Sequence, residues 1–267
     1  MMGQADSVRE AVAVLEEARR SRQRARLPAA AWPGLTIDRA YAIQRAWVAA
    51  RMAQGRRRIG YKVAFTTPGS QRAQGIDRPG YGILLDDMRF ADGSTVPSDG
   101  FLAPRVEVEL AFSMGKALGA GCDARQALDA VEWFAPAIEI VDSRVHFQDA
   151  ETGLSRSAVD IIADGGATAG LVLSDRRFDP AKHDPRAVTA VFSHNGDIED
   201  SGVFALILGA PERALVALAD ALADAGETLM PGDLVLCGSV IKAYPTAPGD
   251  RFDVDYGPLG QLSVRFG

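Results

Sequence analysis

Apolar positions recur along this chain with two different spacings, and the change from one to the other divides it. Over 7–26 and 37–54 they recur at helical intervals, with Leu15 and Ala18 in the first stretch and Tyr41, Ile43, Trp47 and Ala50 in the second. The break from Pro28 to Gly34 separates the two, so the pattern predicts a helical N-terminal lobe over residues 1–58. Beyond Arg58 the chain changes to short β-like runs punctuated by Gly and Pro, at 59–65, 81–85, 106–114, 137–141, 169–173, 188–193 and 234–237. Two further helices are expected, at 123–134 behind Asp123 as a cap and at 211–225 before Gly226 as a stop. His194-Asn195-Gly196-Asp197 signals a hairpin turn, and 252–256 alternates, turns at Gly257-Pro258 and resumes over 261–266. Strands out of βαβ rhythm with few helices point to an α+β fold, a β-rich mixed sheet spanning 59–267 and carrying the chemistry.

Composition narrows the function classes. A chain of 267 residues with 47% hydrophobic and 24% charged residues can bury a substantial core. A formal net charge of −6 argues against a surface that tracks nucleic-acid phosphates, and Arg56-Arg57-Arg58 is too short to reverse it. The chain has no apolar run approaching the roughly 20 residues that span a bilayer, and its start lacks a secretory h-region, so a cytoplasmic location is expected. Cys122 and Cys237 stand far apart without ligand spacing, which indicates neither a disulfide framework nor a zinc site.

The chemistry concentrates in two apolar runs. Arg105-Val106-Glu107-Val108-Glu109-Leu110 sets two carboxylates two residues apart, where a strand's period aims both to one side. Ala137-Ile138-Glu139-Ile140 buries a third, and isolated carboxylates in such surroundings are costly unless paired or metal-bound. Together they suggest an all-oxygen site for Mg2+ or Mn2+. The competing readings are a solvated polar face for Glu107 and Glu109, and a salt bridge from Glu139 to Arg105 or Arg144. Lys62 lies inside the apolar run Tyr61-Lys62-Val63, where desolvation or a nearby metal lowers an ammonium's pKa enough for proton transfer; the alternative is an ordinary edge-strand lysine. Of three histidines, His146 follows the Glu139 segment and is the one placed to line a pocket. Neither a G-x-S-x-G elbow nor a Walker spacing occurs.

As a set, Gly60-Tyr61-Lys62-Val63, Tyr81-Gly82-Ile83-Leu84-Leu85-Asp86-Asp87-Met88, the two Glu-bearing runs and the ending Val254-Asp255-Tyr256-Gly257-Pro258-Leu259-Gly260 resemble the hydratase and decarboxylase branch of the fumarylacetoacetate hydrolase superfamily over nearly the whole chain. The resemblance implies that Glu107, Glu109 and Glu139 hold a divalent metal that chelates a 2-oxo acid, and that Lys62 and Asp164 serve catalysis. It further implies that Arg105, His146, Ser239 and Lys242 contact substrate. The implied activity is metal-dependent hydration of a 2-hydroxy-dienoate in aromatic-compound catabolism. The ending, and Asp149-Ala150-Glu151-Thr152-Gly153, look closer to the seven-carbon dioate enzymes than to the five-carbon ones. Decarboxylation of an oxalocrotonate-like acid and C–C hydrolysis of an acylpyruvate stay open, as does a non-catalytic partner subunit. A homo-oligomer is implied, and association with a pathway decarboxylase is compatible with the resemblance.

The chain departs from the family pattern at three places. Where the family reads Pro-Asp-Tyr/Phe-Gly, this chain has Pro79-Gly80-Tyr81-Gly82, which removes an acid; Asp77, Asp86 or Asp87 are the candidates to replace it. The Ala-Asp-Asn-Ala segment is Ala163-Asp164-Gly165-Gly166, and the Gly-Ser-Phe-Thr-Arg-like stretch is Gly238-Ser239-Val240-Ile241-Lys242.

Overall fold

A computed structural model describes residues 4–267; residues 1–3, part of the chain start on which the expectation about a secretory segment rests, lie outside the described residues. The N-terminal helices form as the periodicity requires. Helix α1 (Gln4–Ser21), the single turn α2 (Pro28–Ala31) and α3 (Ile37–Ala53) bury Ala11 and Leu15 against Ile43, Trp47 and Val48. These buried positions join the core of the chain, while Val14 on α1 and Met52 on α3 stay exposed. The first helix stops at Ser21, short of 26, because Arg22 turns to φ 57 and Ala25 pairs with Val145 in an isolated parallel bridge. Thr36 caps α3 by accepting the Arg39 N–H.

Strand β1 (Arg58–Ala64) follows, then α4 (Pro68–Gln74), β2 (Gly80–Leu85), β3 (Arg89–Phe90), β4 (Thr95–Val96) and β5 (Arg105–Met114). Helix α5 (Ala124–Asp129) is capped by Asp123, which accepts the Gln126 N–H at 2.8 Å. It ends before the expected Phe134, since Val131 begins β6 (Val131–Val141), whose β-branched and aromatic residues pair with β5 along its length. After β6 come α6 (Ala158–Ala163), β7 (Thr168–Leu173), β8 (Thr189–His194), β9 (Asp197–Val203), α7 (Arg213–Ala223), β10 (Leu234–Leu236), β11 (Tyr244–Pro245), β12 (Arg251–Asp255) and β13 (Gln261–Phe266). The turn between β8 and β9 has Asn195 at φ 52 and Gly196 at φ 96, as an Asn-Gly hairpin demands.

The strands form two sheets, and together with the segregated helices they make the α+β architecture that the pattern predicts. The larger runs β2-β1-β10-β5-β6-β7-β3 with β11 on the start of β5; the smaller runs β4-β13-β12-β8-β9. Within the larger sheet β1 lies between β2 and β10, and β5 between β10 and β6, so the strands bearing Lys62, Glu107 and Glu109 are interior. That burial on both faces is why they read as nearly continuous apolar runs. Three short helices escaped the reading: α2 inside the expected break, and α4 and α6, although Thr67-Pro68 and the Ser157 to Asp160 pair are capping signals; Asp160 accepts the Ser157 N–H at 2.9 Å. No helix of the described residues is long and apolar enough to cross a membrane.

Candidate active site

Antiparallel register brings the acidic side chains together. Glu107 on β5 stands opposite Glu139 on β6, and Glu109 shares the face of Glu107 two residues along. Each carboxylate offers an oxygen, and the three oxygens lie within 4.8 Å of one another. Glu109 is 1% exposed and Glu139 0%, which removes the reading of a polar face turned to water at Glu109, while Glu107 is half-buried. Like charges directly opposed on a sheet destabilise it. Here the compensation is partial: Lys62 Nζ lies 3.5 Å from Glu139 Oε1, Thr168 Oγ1 donates to the same oxygen, and the Gly238 N–H donates to Glu109 Oε2 at 2.7 Å. Glu139 Oε2 is buried with no partner.

Electrostatics registers the imbalance. Burial, with Glu139 adding to it and Lys62 opposing, pushes the Glu107 carboxyl up to about 7. Burial and the two neighbouring carboxylates hold Glu109 well above the usual range. For Lys62, burial works to lower the ammonium, but Glu139, Glu107 and Glu109 outweigh it, so its pKa is raised and the expectation of a lowered one is corrected for the cation-free protein. Three carboxylates face one ammonium, one buried carboxylate oxygen has no hydrogen-bond partner, and the donors are hard oxygens. This set fits a divalent cation.

Lys62 is not an edge lysine, since β1 is paired on both sides. Its side chain runs past Gly82 and Gly166: a Cβ on Gly166, which has φ +71, would stand 2.9 Å from Lys62 Cε. Lys62, Glu107 and Glu109 open into a cleft of about 780 Å3 that also takes in Phe65, Arg105, Arg156 and Lys242, while Glu139 is fully buried and not among its lining residues. A smaller cavity of about 310 Å3, lined by Tyr41, Arg45 and Tyr81, does not include the carboxylates.

The remaining expected site residues divide. Arg105 is exposed on the cleft wall and donates to the Ala243 carbonyl at 3.2 Å, while Lys242 is exposed beside it. Ser239 lines the cleft with its hydroxyl engaged, accepting the Val108 N–H at 3.0 Å and donating to the Ile241 carbonyl at 3.0 Å. His146 is exposed and is not among the cleft-lining residues; its backbone N–H bonds to Ala25. Asp164 is 1% exposed and also stays out of the cleft, because its carboxylate accepts from the Ser143 hydroxyl and from the Arg144 backbone and guanidinium. Arg144 is thereby used, Arg105 is turned to Ala243, and the cation beside Glu139 is Lys62.

None of Asp77, Asp86 and Asp87, the candidates to replace the missing acid at Gly80, lines the cleft. A Cβ there would meet the Phe65 ring and the Tyr41 hydroxyl, each at 3.3 Å. Asp86 holds Arg57, Asp87 holds Arg51 and Arg56, and Asp77 lines the smaller cavity. The structure adds residues that the reading missed. Thr168 supports Glu139 through the β6–β7 pairing, Asp142 accepts the Leu102 and Ala103 N–H groups at the cleft wall, and Phe147 and Arg156 line its rim. An Asp after a long apolar strand is a visible signal; the other three depend on pairings between distant segments.

Residues 81–266 match the family model described as the fumarylacetoacetate (FAA) hydrolase C-terminal. Over 253 residues the chain is 40% identical to a 2-oxo-hept-4-ene-1,7-dioate hydratase of Escherichia coli, covering 94% of this chain and 95% of the relative. It is 34% identical over 237 residues to a 2-hydroxyhexa-2,4-dienoate hydratase of Comamonas testosteroni, covering 88% of each. The solved 4-oxalocrotonate decarboxylase from Pseudomonas putida G7, complexed with magnesium and adipate, superimposes with a TM-score of 0.90 at 25% identity, covering 97% of this chain and 98% of that one.

Proposed function

The chain belongs to the fumarylacetoacetate hydrolase family, and from that premise we propose that it is a divalent-metal-dependent hydratase, a hydro-lyase that adds water to a small 2-oxo or 2-hydroxy unsaturated carboxylate in the breakdown of aromatic compounds. The observation that carries the reading is the converging group Glu107, Glu109 and Glu139 with one ammonium among three carboxylates. Mg2+ or Mn2+ is the cation expected on that oxygen set. Bound there, it would hold the substrate's carboxylate and 2-oxo oxygen, stabilise the enolate charge and, by neutralising the same carboxylates, bring the Lys62 ammonium down toward working range.

The chain's own residues then have distinct tasks. Tautomerisation of a 2-hydroxy-dienoate removes a proton from the hydroxyl and delivers one to the far end of the diene. Hydration puts the water's hydroxyl on the carbon β to the 2-oxo group and its proton on the α carbon. Lys62 Nζ, inside the cleft and 3.5 Å from Glu139, is the titratable nitrogen assigned to these transfers. Thr168 fixes Glu139 by its hydroxyl, and Gly238 fixes Glu109 by its N–H. Asp164 is assigned to positioning: with Arg144 it secures the turn that carries Gly166 against Lys62.

Decarboxylation of a vinylogous 2-oxo acid is the second reading. The absence of a carboxylate at Gly80 favours it, since loss of carbon dioxide needs no group to activate water. Incubation of the protein with a 2-hydroxy-dienoate and, separately, with an oxalocrotonate-type vinylogous 2-oxo diacid, each with and without a chelator and with magnesium restored, tests both readings. A hydrated product that vanishes with chelation is expected. Released carbon dioxide without hydrated product would replace the hydratase by the decarboxylase, and no turnover in either state would leave a non-catalytic subunit. A homo-oligomer is kept as part of the proposal on the family relationship.

A further inference from the structure

Glu107 and Glu109 line the cleft, with Glu139 buried beside them, and the same cleft carries Arg105 and Arg156, neither of which forms an ion pair among the described residues. Along β5 the side chains of Arg105, Glu107 and Glu109 share a face, so Arg105 stands about 6.6 Å outward from Glu107 at two residues of strand rise. Beyond β6 the wall continues through Ser143 to Phe147 and Arg156, which line the cleft there. The Arg156 guanidinium lies 4.5 Å from the centroid of the Phe147 ring, and Arg24 lies 4.7 Å from the same ring. Two cations share one π surface, and neither has an ion pair among the described residues. The carboxylates that act most strongly on Arg156 are Asp164 and Asp160. Both are engaged elsewhere, Asp164 with Arg144 and Asp160 with the N–H groups of Ala29 and Ser157. Arg24 Nη2 is buried with no hydrogen-bond partner.

The segment that presents Arg156 is fixed in place. Its N–H bonds to the Phe147 carbonyl at 2.9 Å, Gln148 pairs with Ser155, and Asp149 at the bend is held by Arg26 at 2.7 Å. A partly desolvated guanidinium on a braced support, next to Arg105 and lacking an anion, is a ready receptor for a carboxylate. Asp200 also lines the cleft, from β9.

We infer that Arg156, backed by the Phe147 ring and Arg24 and assisted by Arg105, binds a second carboxylate at the end of the substrate remote from its 2-oxo acid group. The chain then selects dicarboxylic over monocarboxylic 2-oxo-enoates, a role that rests on the 2-oxo acid reading of the site. The test compares two seven-carbon 2-oxo-4-enoates, one ending in a carboxylate and one in a methyl group, on wild type, Arg156→Gln and Arg156→Lys. A charge-assisted hydrogen bond at the distal end corresponds to a kcat/KM ratio of at least about tenfold in favour of the diacid. Arg156→Gln is expected to bring that ratio close to one through KM, and Arg156→Lys to keep a substantial part of it. Turnover of the monoacid reports that each variant is folded. A wild-type ratio near one, or a ratio that Arg156→Gln leaves unchanged, overturns the assignment. Calorimetric binding of 2-oxoadipate against 2-oxohexanoate in the presence of magnesium separates the two layers. Tighter binding of the diacid that Arg156→Gln abolishes, without turnover of either enoate, keeps the distal site and removes the hydratase reading; no binding of either acid removes both.

Discussion

Lys62 is the cation set among the three carboxylates, two of them fully buried, and removing it changes two properties in opposite senses. Replacement by Met leaves the carboxylates uncompensated, so the cation-free variant is expected to melt below wild type while gaining more from magnesium, as differential scanning fluorimetry would show. The same variant is expected to lose turnover by about 10²-fold or more, the scale of general acid–base catalysis. The pH dependence follows from the raised carboxyls. Glu107 titrates near 7 when folded and near an ordinary glutamate's value when unfolded, so between those values the folded state holds the extra proton. Stability of the cation-free protein must then fall as pH rises through that window, and magnesium must displace protons in binding. Calorimetry in two buffers of different ionisation enthalpy should record proton release at pH 6 and tighter binding at pH 8; a pH-independent affinity would refute this ligand set. At this scale Glu107, Glu109, Glu139 and Lys62 were legible, because charged side chains inside apolar strands carry their own signal. Arg156 was not, because what distinguishes it is the lack of a partner, and partners are known only once the chain is folded.

Among the elements, the turn of Gly165, Gly166 and Ala167 between α6 and β7 has all three residues at positive φ, between 59 and 71. Gly166→Ala adds both a left-handed strain and a contact 2.9 Å from Lys62 Cε. A loss of about 1–3 kcal/mol in urea unfolding is expected, together with a kcat deficit that the stability loss does not explain. Asp164→Asn removes the partner of buried Arg144 and should cost about 3–5 kcal/mol by the same measurement; a nearly neutral result would show that this pair does not hold the turn. The strands were readable from their period of two and the β8–β9 hairpin from Asn195-Gly196. Helix α5 was overextended because Val131 to Phe134 is apolar in either conformation, and only the pairing with β5 decides between them. Helix α4 and α6 are too short to show a period, and only their caps announce them.

For the molecule as a whole, chelation is expected to cost stability as well as activity. At a magnesium concentration 100 times its Kd the bound state gains about 2.7 kcal/mol, visible as a melting point that rises with magnesium and returns with chelator. The α+β layout followed from the order of elements, whereas the two-sheet arrangement did not, since it depends on β10 entering between β1 and β5 from more than a hundred residues away. That arrangement has a further consequence. All the acidic groups proposed to grip the cation come from one adjacent antiparallel pair, β5 and β6, while Lys62, Gly80, Gly238 and Arg156 arrive on separate segments. Anchorage of the ion is thus a local inheritance and the fate of the bound acid a remote one, so substitutions outside a stretch of some tens of residues can redirect the reaction without disturbing the anchor.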